Sequence, residues 1–550
     1  MNSTFSATTI GIAFGTFFVG ARNILPWNTA WLYGKGDGSA AQLLWRFYEQ
    51  SPIIQWPITA VPNYVVGANT VNPDGNSIFA VGAKVISLLI PGQFQYFGVL
   101  IVLWFALQAF FAERLISRFV ENKHLRLLGM AFFILSPAFL YRLGSMRHFH
   151  VASHWLILAA LHLYFGKSFK RFGWSILLVA AIAINIYIAA IVVSIFLVSA
   201  GREILVNRRM PLLPATVVFL VIPLVAAALS FVISGYLSFS SSAVGSGFFR
   251  LNLFAFFNPG YSPSGSFSVL ANSVLPSTGR SLIAEEWEGF QYIGPGVVLM
   301  LPILLILVWR SRRHLLKSHW MPIGVVSTLL FFFALSNRIT FFRLEFSYWW
   351  PNALLHIHGI FRGAPRFGVA LYYLITLATV VSVSKLFSKR TATIIMGLLL
   401  IVVIVDQSAG IRQSHKDLSE SSPIETLLAD AEWSLVVKGH SKLVIDKNFD
   451  FQVDGGLPAD ASIFSDNWYA LAMFAVGHHM STNFGYVARP IQAFVKAEDA
   501  RVAAELASGD LDSKAIYLIS NEKDWTRYKD LVGKNGRALV LDGFFVIVGQ

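Results

Sequence analysis

Few side chains in this sequence can do chemistry, and they gather in a handful of short stretches. In YGKGDGSAAQLLWRFYEQSP, residues 33–52, Asp37 stands between glycines just ahead of a run of aromatics. A carboxylate there can take a proton from an acceptor hydroxyl or bind a metal. It can equally cap the following helix, SAAQLLWRFYEQ. The stretch LYRLGSMRHFHVASHWLIL carries Arg142, Arg147, His148, His150 and His154. His150 and His154 are four apart and could share a helix face, which is one way to bind zinc; polar helix ends are the alternative. AEEWEGFQYIGPG brings Glu285, Glu286 and Glu288 into an otherwise apolar loop. They could supply a second acid, or hold the loop by hydrogen bonds. HIHGIFRGAPRFGVALYY spaces Arg362 and Arg366 four apart. Guanidinium groups suit bidentate binding of a lipid phosphate, or plain anchoring among headgroups.

The elements that must position these groups are apolar. The chain has 550 residues, 55% of them hydrophobic and only 13% charged, against about 25% charged in a soluble domain. Apolar segments near 6–21, 94–112, 125–141, 151–166, 172–186, 187–200, 212–237, 294–310, 320–337, 367–384 and 391–407 predict an α-helical polytopic membrane protein of about eleven spans. The net charge of +13 is not concentrated into a run that reads as a nucleic-acid patch. There are no cysteines, which excludes disulfides and thiolate metal sites. The start, MNSTFS, lacks a basic region, so residues 7–21 read as a retained first span.

Charge sets the expected orientation. Five short loops, ERLISRFVENKHLR, KSFKR, REILVNRRM, RSRRHLLKS and KLFSKR, hold 17 of the 43 Lys and Arg residues. The four opposing loops are much longer and hold 12. The positive-inside rule places the first set and the N-terminus in the cytoplasm, and the long loops and tail outside. Keeping both flanking basic loops inside requires residues 172–200 to form a hairpin broken near Asn185, Ile186 and Tyr187; a single long helix would reverse every later loop. The first external loop, 22–93, contains Trp27, Trp31, Trp45 and Trp56 among apolar pieces too short to span, which suits the membrane interface.

Residues 408–550 are of another kind, with 14 Lys and Arg against 19 Asp and Glu. Ser422, Pro423 and Glu425 form a capping-box pattern. RPIQAFVKAEDARVAAELASG reads as an amphipathic helix ended by Gly509. KLVID, AIYLIS and ALVLDGFFVIVG read as strands, the last a hairpin turning at Asp542 and Gly543. SNEKD reads as a loop. The expected division is a membrane domain over 1–407 and a small extracytoplasmic α/β domain over 408–550.

Taken in order, these motifs resemble a bacterial membrane family of unknown function, itself similar to glycosyltransferases of the GT-C architecture. The resemblance rests on Gly36-Asp37 before WRFYEQSP, His148 and His154 before WLIL, FFNP at Phe256–Pro259, EGFQYIGPG from Glu288, ALSN at Ala334–Asn337, FRGAPRF from Phe361, Tyr372-Tyr373, NFGYVAR at Asn483–Arg489, and AIYLI. The pattern departs at Asn76, where an acid is common; Asp74 is close by. The resemblance implies transfer of a sugar from a polyprenyl-phosphate carrier to a cell-envelope glycan or lipid-linked acceptor, at the outer face of a bacterial inner membrane. It implies Asp37 and Glu288 as catalytic carboxylates, Arg362, Arg366 and Arg142 for the donor phosphate, and a pocket completed by His148, His154, Asp74, Asn252 and Tyr292. A divalent metal is compatible with this chemistry, and membrane lipid is a further partner. A transporter, flippase or polymerase for lipid-linked sugars, and a non-enzymatic envelope scaffold, are the competing readings.

Overall fold

A computed structural model describes all residues except 1–2, 34–35, 65–77, 91, 207–210, 239–246, 248, 261–265, 271–283, 316–317, 420–427, 429, 447–461, 486–491 and 550. Asp74, Asn76 and the expected capping box at Ser422, Pro423 and Glu425 lie outside the described residues. The chain forms two compact units. One comprises Met1–Asn28, Tyr96–Ser230 and Ser242–Glu420; the other comprises Thr29–Gln95, Phe231–Ser241 and Ser421–Gln550.

The first unit is mostly helical. Every apolar segment expected from the sequence is a helix, but they are unequal in length. Among the described residues five are long and apolar enough to cross a membrane: Phe97–Ile116, Ile186–Leu205, Leu212–Ile233, Pro295–His314 and Ala364–Leu386. Counting each bent pair as one span gives up to seven, with Lys123–Ile134 and Pro137–Leu143 meeting at 48° and Lys389–Asp406 and Ser408–Ser419 at 49°. Other expected segments form shorter apolar helices, among them Ser3–Val19, Trp155–Tyr164, Arg171–Ile184 and Trp320–Leu335, and local chemistry sets several of their ends. Helix Trp155–Tyr164 starts only after the polar turn holding His148, His150 and His154. Asn185 ends Arg171–Ile184 in an extended conformation, and its side chain accepts from the backbone N–H groups of Tyr187 and Ile188 to start Ile186–Val206. Trp174 packs on Phe196, each eleven positions from Asn185, so the two helices fold back as an antiparallel hairpin.

Close packing joins the first two apolar helices. A Cβ on Gly11 would lie 2.5 Å from the Phe105 carbonyl oxygen, and one on Gly15 would lie 3.0 Å from the Phe105 Cβ. Glycines four apart let Ser3–Val19 lie directly against Phe97–Ile116, the small-residue packing that suits helices in lipid. After helix Trp320–Leu335 comes a short antiparallel hairpin of β1 (Arg338–Phe341) and β2 (Leu344–Ser347).

The second unit carries a five-stranded sheet of β3 (Lys442–Ile445), β4 (Ser481–Thr482), β5 (Ala515–Ile519), β6 (Gly536–Leu541) and β7 (Phe544–Gly549), in the order β4-β3-β5-β7-β6. The first three are parallel; β5 with β7 and β7 with β6 are antiparallel. The β6–β7 hairpin turns at Asp542 and Gly543, both at positive φ, as the Asp-Gly signal predicts. Val444, Val502, Leu506, Tyr517, Ile519 and Ile547 form its core. Helix Gln492–Ser508 does end at Gly509, at positive φ. SNEKD is not a loop: the Asn521 side chain accepts from the Asp524 N–H and caps helix Glu522–Val532, whose first turn holds Glu522 and Asp524. Both acids favour a helix N-terminus.

Residues Thr29–Gln95, after the first apolar helix, belong to this same unit. Gln50 Nε2 donates to the Val476 carbonyl at 2.8 Å, and the Thr482 N–H donates to the Asn63 carbonyl at 3.1 Å. Thr59 is tied to the Ser234 carbonyl at 2.8 Å. Trp31 and Trp45 are buried, whereas Trp27 and Trp56 are exposed.

Candidate functional site

Two separate pieces of chain in the helical unit reach the buried carboxylate of a third, and a fourth packs against one of them. Glu288 is the next-to-last residue of the short helical turn Ala284–Gly289, where Gly289 lies against the Arg250 carbonyl too closely for a side chain. Its Oε2 receives Arg142 Nη1 at 2.6 Å, from the last turn of Pro137–Leu143. Its Oε1 receives Arg366 Nη2 at 2.8 Å, and Arg366 Nε reaches Oε2 at 3.1 Å, a bidentate clasp from the turn Ala364–Gly368. Arg142 Nη2 also donates to the Glu288 carbonyl. His148 Nδ1 lies 3.1 Å from Arg142 Nη1; because a guanidinium only donates, this imidazole nitrogen accepts. The Tyr187 ring lies 4.6 Å from the Arg366 guanidinium, and its hydroxyl accepts from the Gly363 N–H at 3.2 Å.

The electrostatics follow from this geometry. Burial alone opposes charge on Glu288, but the guanidinium groups of Arg142 and Arg366 outweigh it and hold the carboxyl below the usual glutamate range. A carboxylate with both oxygens engaged by cations is poorly suited to shuttle a proton and well suited to hold two guanidinium groups in place. Among the described residues two guanidinium groups meet this one carboxylate, and the guanidinium fork is the side-chain geometry best matched to a bound oxyanion.

The other expected residues sit as follows. Arg362 is half-buried with its guanidinium 5.3 Å from the Phe249 ring, and Phe249 packs edge-on against Trp287, next to Glu288. The spacing of four therefore does not put Arg362 on the same carboxylate as Arg366. His154 pairs with the Tyr373 hydroxyl at 2.9 Å, which also accepts from Gln108 at 3.0 Å. His150 faces Tyr96, so the two histidines turn to different partners. Among the described residues no three His, Asp or Glu side chains are grouped to hold a metal ion. Asn252 donates to both oxygens of Glu286 at 3.0 and 3.3 Å and to the Phe342 carbonyl at 3.0 Å. Tyr292 points to Asp406, whose carboxylate also accepts from the Ser268 hydroxyl and the Leu270 N–H. Asp37 belongs to the second unit, half-buried inside the first turn of helix Gly36–Gln50 rather than ahead of it as a cap. An acid in that turn complements the helix dipole.

Tyr187 was missed as a site residue by sequence reasoning, although its hairpin break was legible. Its signal is the helix reversal at Asn185, which turns an aromatic back toward the end of the bundle where the arginines lie. Thr340 was also missed: it donates to Glu286 from a strand that the apolar pattern conceals.

These features define a mostly helical chain, compatible with a membrane location, that carries a small α/β sheet region. Residues 8–408 match the family described as Domain of unknown function (DUF6311), and residues 432–549 match the DUF6311 C-terminal domain. The chain belongs to that family. Comparison with curated proteins finds no match.

Proposed function

We propose that this protein is an inverting membrane glycosyltransferase of GT-C-like architecture. It moves a sugar from a polyprenyl-phosphate carrier to a cell-envelope glycan or lipid-linked acceptor. In this reading the chain crosses a bacterial inner membrane about eleven times with its N-terminus inside, and the reaction occurs at the outer face. The observation that carries the reading is the Arg142–Glu288–Arg366 cluster. The residues that build it all lie at segment ends that the distribution of cations assigns to the outer side, and their two guanidinium groups suit a lipid phosphate as leaving group. Charge building on that phosphate in the transition state is met by guanidinium groups already fixed in position, so little reorganisation is needed. Glu288 acts here as their positioning partner. Asp37 is the general base for the acceptor hydroxyl, a role drawn from its sequence setting. The exposed Ile53, Ile54, Trp56, Leu88 and Leu89 of the first external loop suit contact with the membrane interface.

The test is binding of undecaprenyl phosphate to the purified protein, followed by transfer of labelled sugar from undecaprenyl-phosphate sugars to envelope acceptors in membranes lacking the protein. Wild type should bind and transfer. Arg366→Ala should lose both, and Asp37→Asn should bind normally but not transfer. Unchanged transfer by Arg366→Ala would overturn the reading; unchanged transfer by Asp37→Asn would remove Asp37 as the base.

A further inference from the structure

The β1–β2 hairpin is two-faced. Its register pairs Arg338 with Ser347, Ile339 with Phe346, Thr340 with Glu345 and Phe341 with Leu344. Side chains alternate along a strand, so Arg338, Thr340, Glu345 and Ser347 share one face and Ile339, Phe341, Leu344 and Phe346 the other. The polar face is fastened to the body of the helical unit. Thr340 donates to the buried Glu286, Arg250 Nη1 reaches Glu345 at 2.6 Å, and Leu253 N–H donates to the Thr340 carbonyl at 2.8 Å. The apolar face is largely uncovered: Leu344 is 60% exposed and Phe346 57%. Tyr348 and Trp349, just beyond β2, are also exposed, Trp349 at 81%.

The turn adds a second observation. Phe342 stands at φ 51°, where a two-residue hairpin turn favours glycine. A bulky residue there is strained, yet it places an aromatic at the tip, stacked on Phe254 with centroids 4.5 Å apart. An isolated two-stranded hairpin with an apolar face in water is unstable and prone to aggregate.

Two features identify what covers this face. The hairpin follows within three residues the end of the apolar helix Trp320–Leu335, on which Met321, Val325, Leu329 and Phe332 are exposed. Along residues 338–347 two arginines, Arg338 and the exposed Arg343, stand against one acid, Glu345. Aromatic and apolar side chains beside arginines, at the end of a membrane-type helix, match the boundary between headgroups and acyl chains.

We propose that the β1–β2 hairpin inserts its Phe341, Leu344 and Phe346 face into the interfacial layer of an anionic phospholipid bilayer. Because Thr340 holds Glu286, two residues from Glu288, the hairpin brings lipid to the edge of the guanidinium cluster. The inference rests on the apolar face and not on sugar transfer.

The chain contains no cysteine, so single labels are clean. Nitroxides would be attached at Leu344→Cys and, separately, Phe346→Cys in the full-length protein. A control label at the exposed Asp510→Cys belongs to the sheet-bearing unit. In nanodiscs of phosphatidylglycerol and phosphatidylethanolamine, collision rates with oxygen and with a water-soluble nickel chelate would be measured by electron paramagnetic resonance. Both hairpin labels should show an oxygen-to-nickel ratio several-fold above that of the control. A control-like ratio at both hairpin positions, meaning water, overturns the proposal. Shielding from both reagents, meaning a protein surface covers the face, also overturns it. The measurement needs no sugar donor, so its failure leaves the proposed transferase standing, and the reverse holds.

Discussion

Two buried carboxylates in the helical unit invite comparison. Glu113, near the end of Phe97–Ile116, is met by Arg126 Nε at 2.9 Å and by the hydroxyls of Ser3 and Thr4 at 2.8 and 2.7 Å. Glu288 is met by two arginines, one of which also contacts a histidine. The bent helix pair from Lys123 to Leu143 links them, carrying Arg126 at its start and Arg142 at its end. Those arginines are sixteen residues apart, roughly 24 Å of helical rise. At Glu113 one acid meets one base and the remaining acceptors are filled by hydroxyls: the charges match, and the cluster pins the first helix to its neighbours. At Glu288, among the described residues, two arginines share one carboxylate. A matched pair of this kind serves architecture, whereas the proposed function gives the paired arginines at Glu288 an anion to hold.

Breaking the two clusters in parallel sharpens that distinction. The largest expected effect is on stability. Glu288→Gln strands two buried guanidinium groups and should cost about 3–5 kcal/mol, read as a drop in melting temperature in detergent. Glu113→Gln strands only Arg126, which is one-fifth exposed and can turn outward, so its cost should be nearer 1–2 kcal/mol. Equal losses would erase the contrast.

Function should split more cleanly. Replacing both members of a buried pair avoids the stranded charge. The triple variant Arg142→Met, Arg366→Met and Glu288→Met, which leaves none of the three charges behind, should fold yet bind undecaprenyl phosphate about 100-fold more weakly, as measured by native mass spectrometry. Arg126→Met with Glu113→Met should bind like wild type. If the second pair weakened binding as much as the first, the anion-site assignment would fail.

The pH dependence has a definite sign. The Glu288 carboxyl is held below the ordinary glutamate range, so its contribution to stability is fully present above that range and is lost as pH falls through the depressed value. The stability gap between wild type and Glu288→Gln should therefore be constant from pH 8 to about 5 and narrow only in more acidic solution. Melting curves across that range check it; a gap that narrows already near neutrality would contradict the clasped geometry. The smallest effect belongs to Tyr187→Phe. It removes the hydroxyl bonded to the Gly363 N–H while keeping the ring on Arg366, and should cost about 0.5–1.5 kcal/mol with little change in phosphate binding.

Much of the scaffold could be read from residue order. Apolar runs located the helices, Asn185 marked the hairpin break, and Asp542-Gly543 marked the final turn, because each is a local property of a few neighbouring residues. The β1–β2 hairpin escaped, since FFRLEF between an apolar helix and an aromatic run lacks an Asn-Gly or Asp-Gly turn and is held by contacts to distant residues. The site was legible only in part. Arg142, His148, Glu288 and Arg366 were each identifiable as costly polar groups in apolar surroundings, but Arg362 looked equivalent to Arg366 until the turn Ala364–Gly368 sent the two guanidinium groups to different partners.

By itself, then, the order of residues determined which segments are apolar, where they break and which carry ionisable groups, because periodicity and turn chemistry act over short stretches of chain. The tertiary structure alone decided that Arg142 and Arg366 share one carboxylate, with Tyr187 against the second of them. It also decided that the segment after the first apolar helix packs with the C-terminal sheet region. Charge pairing between residues 78 and 146 positions apart depends on how helices stack, and no short-range pattern encodes that.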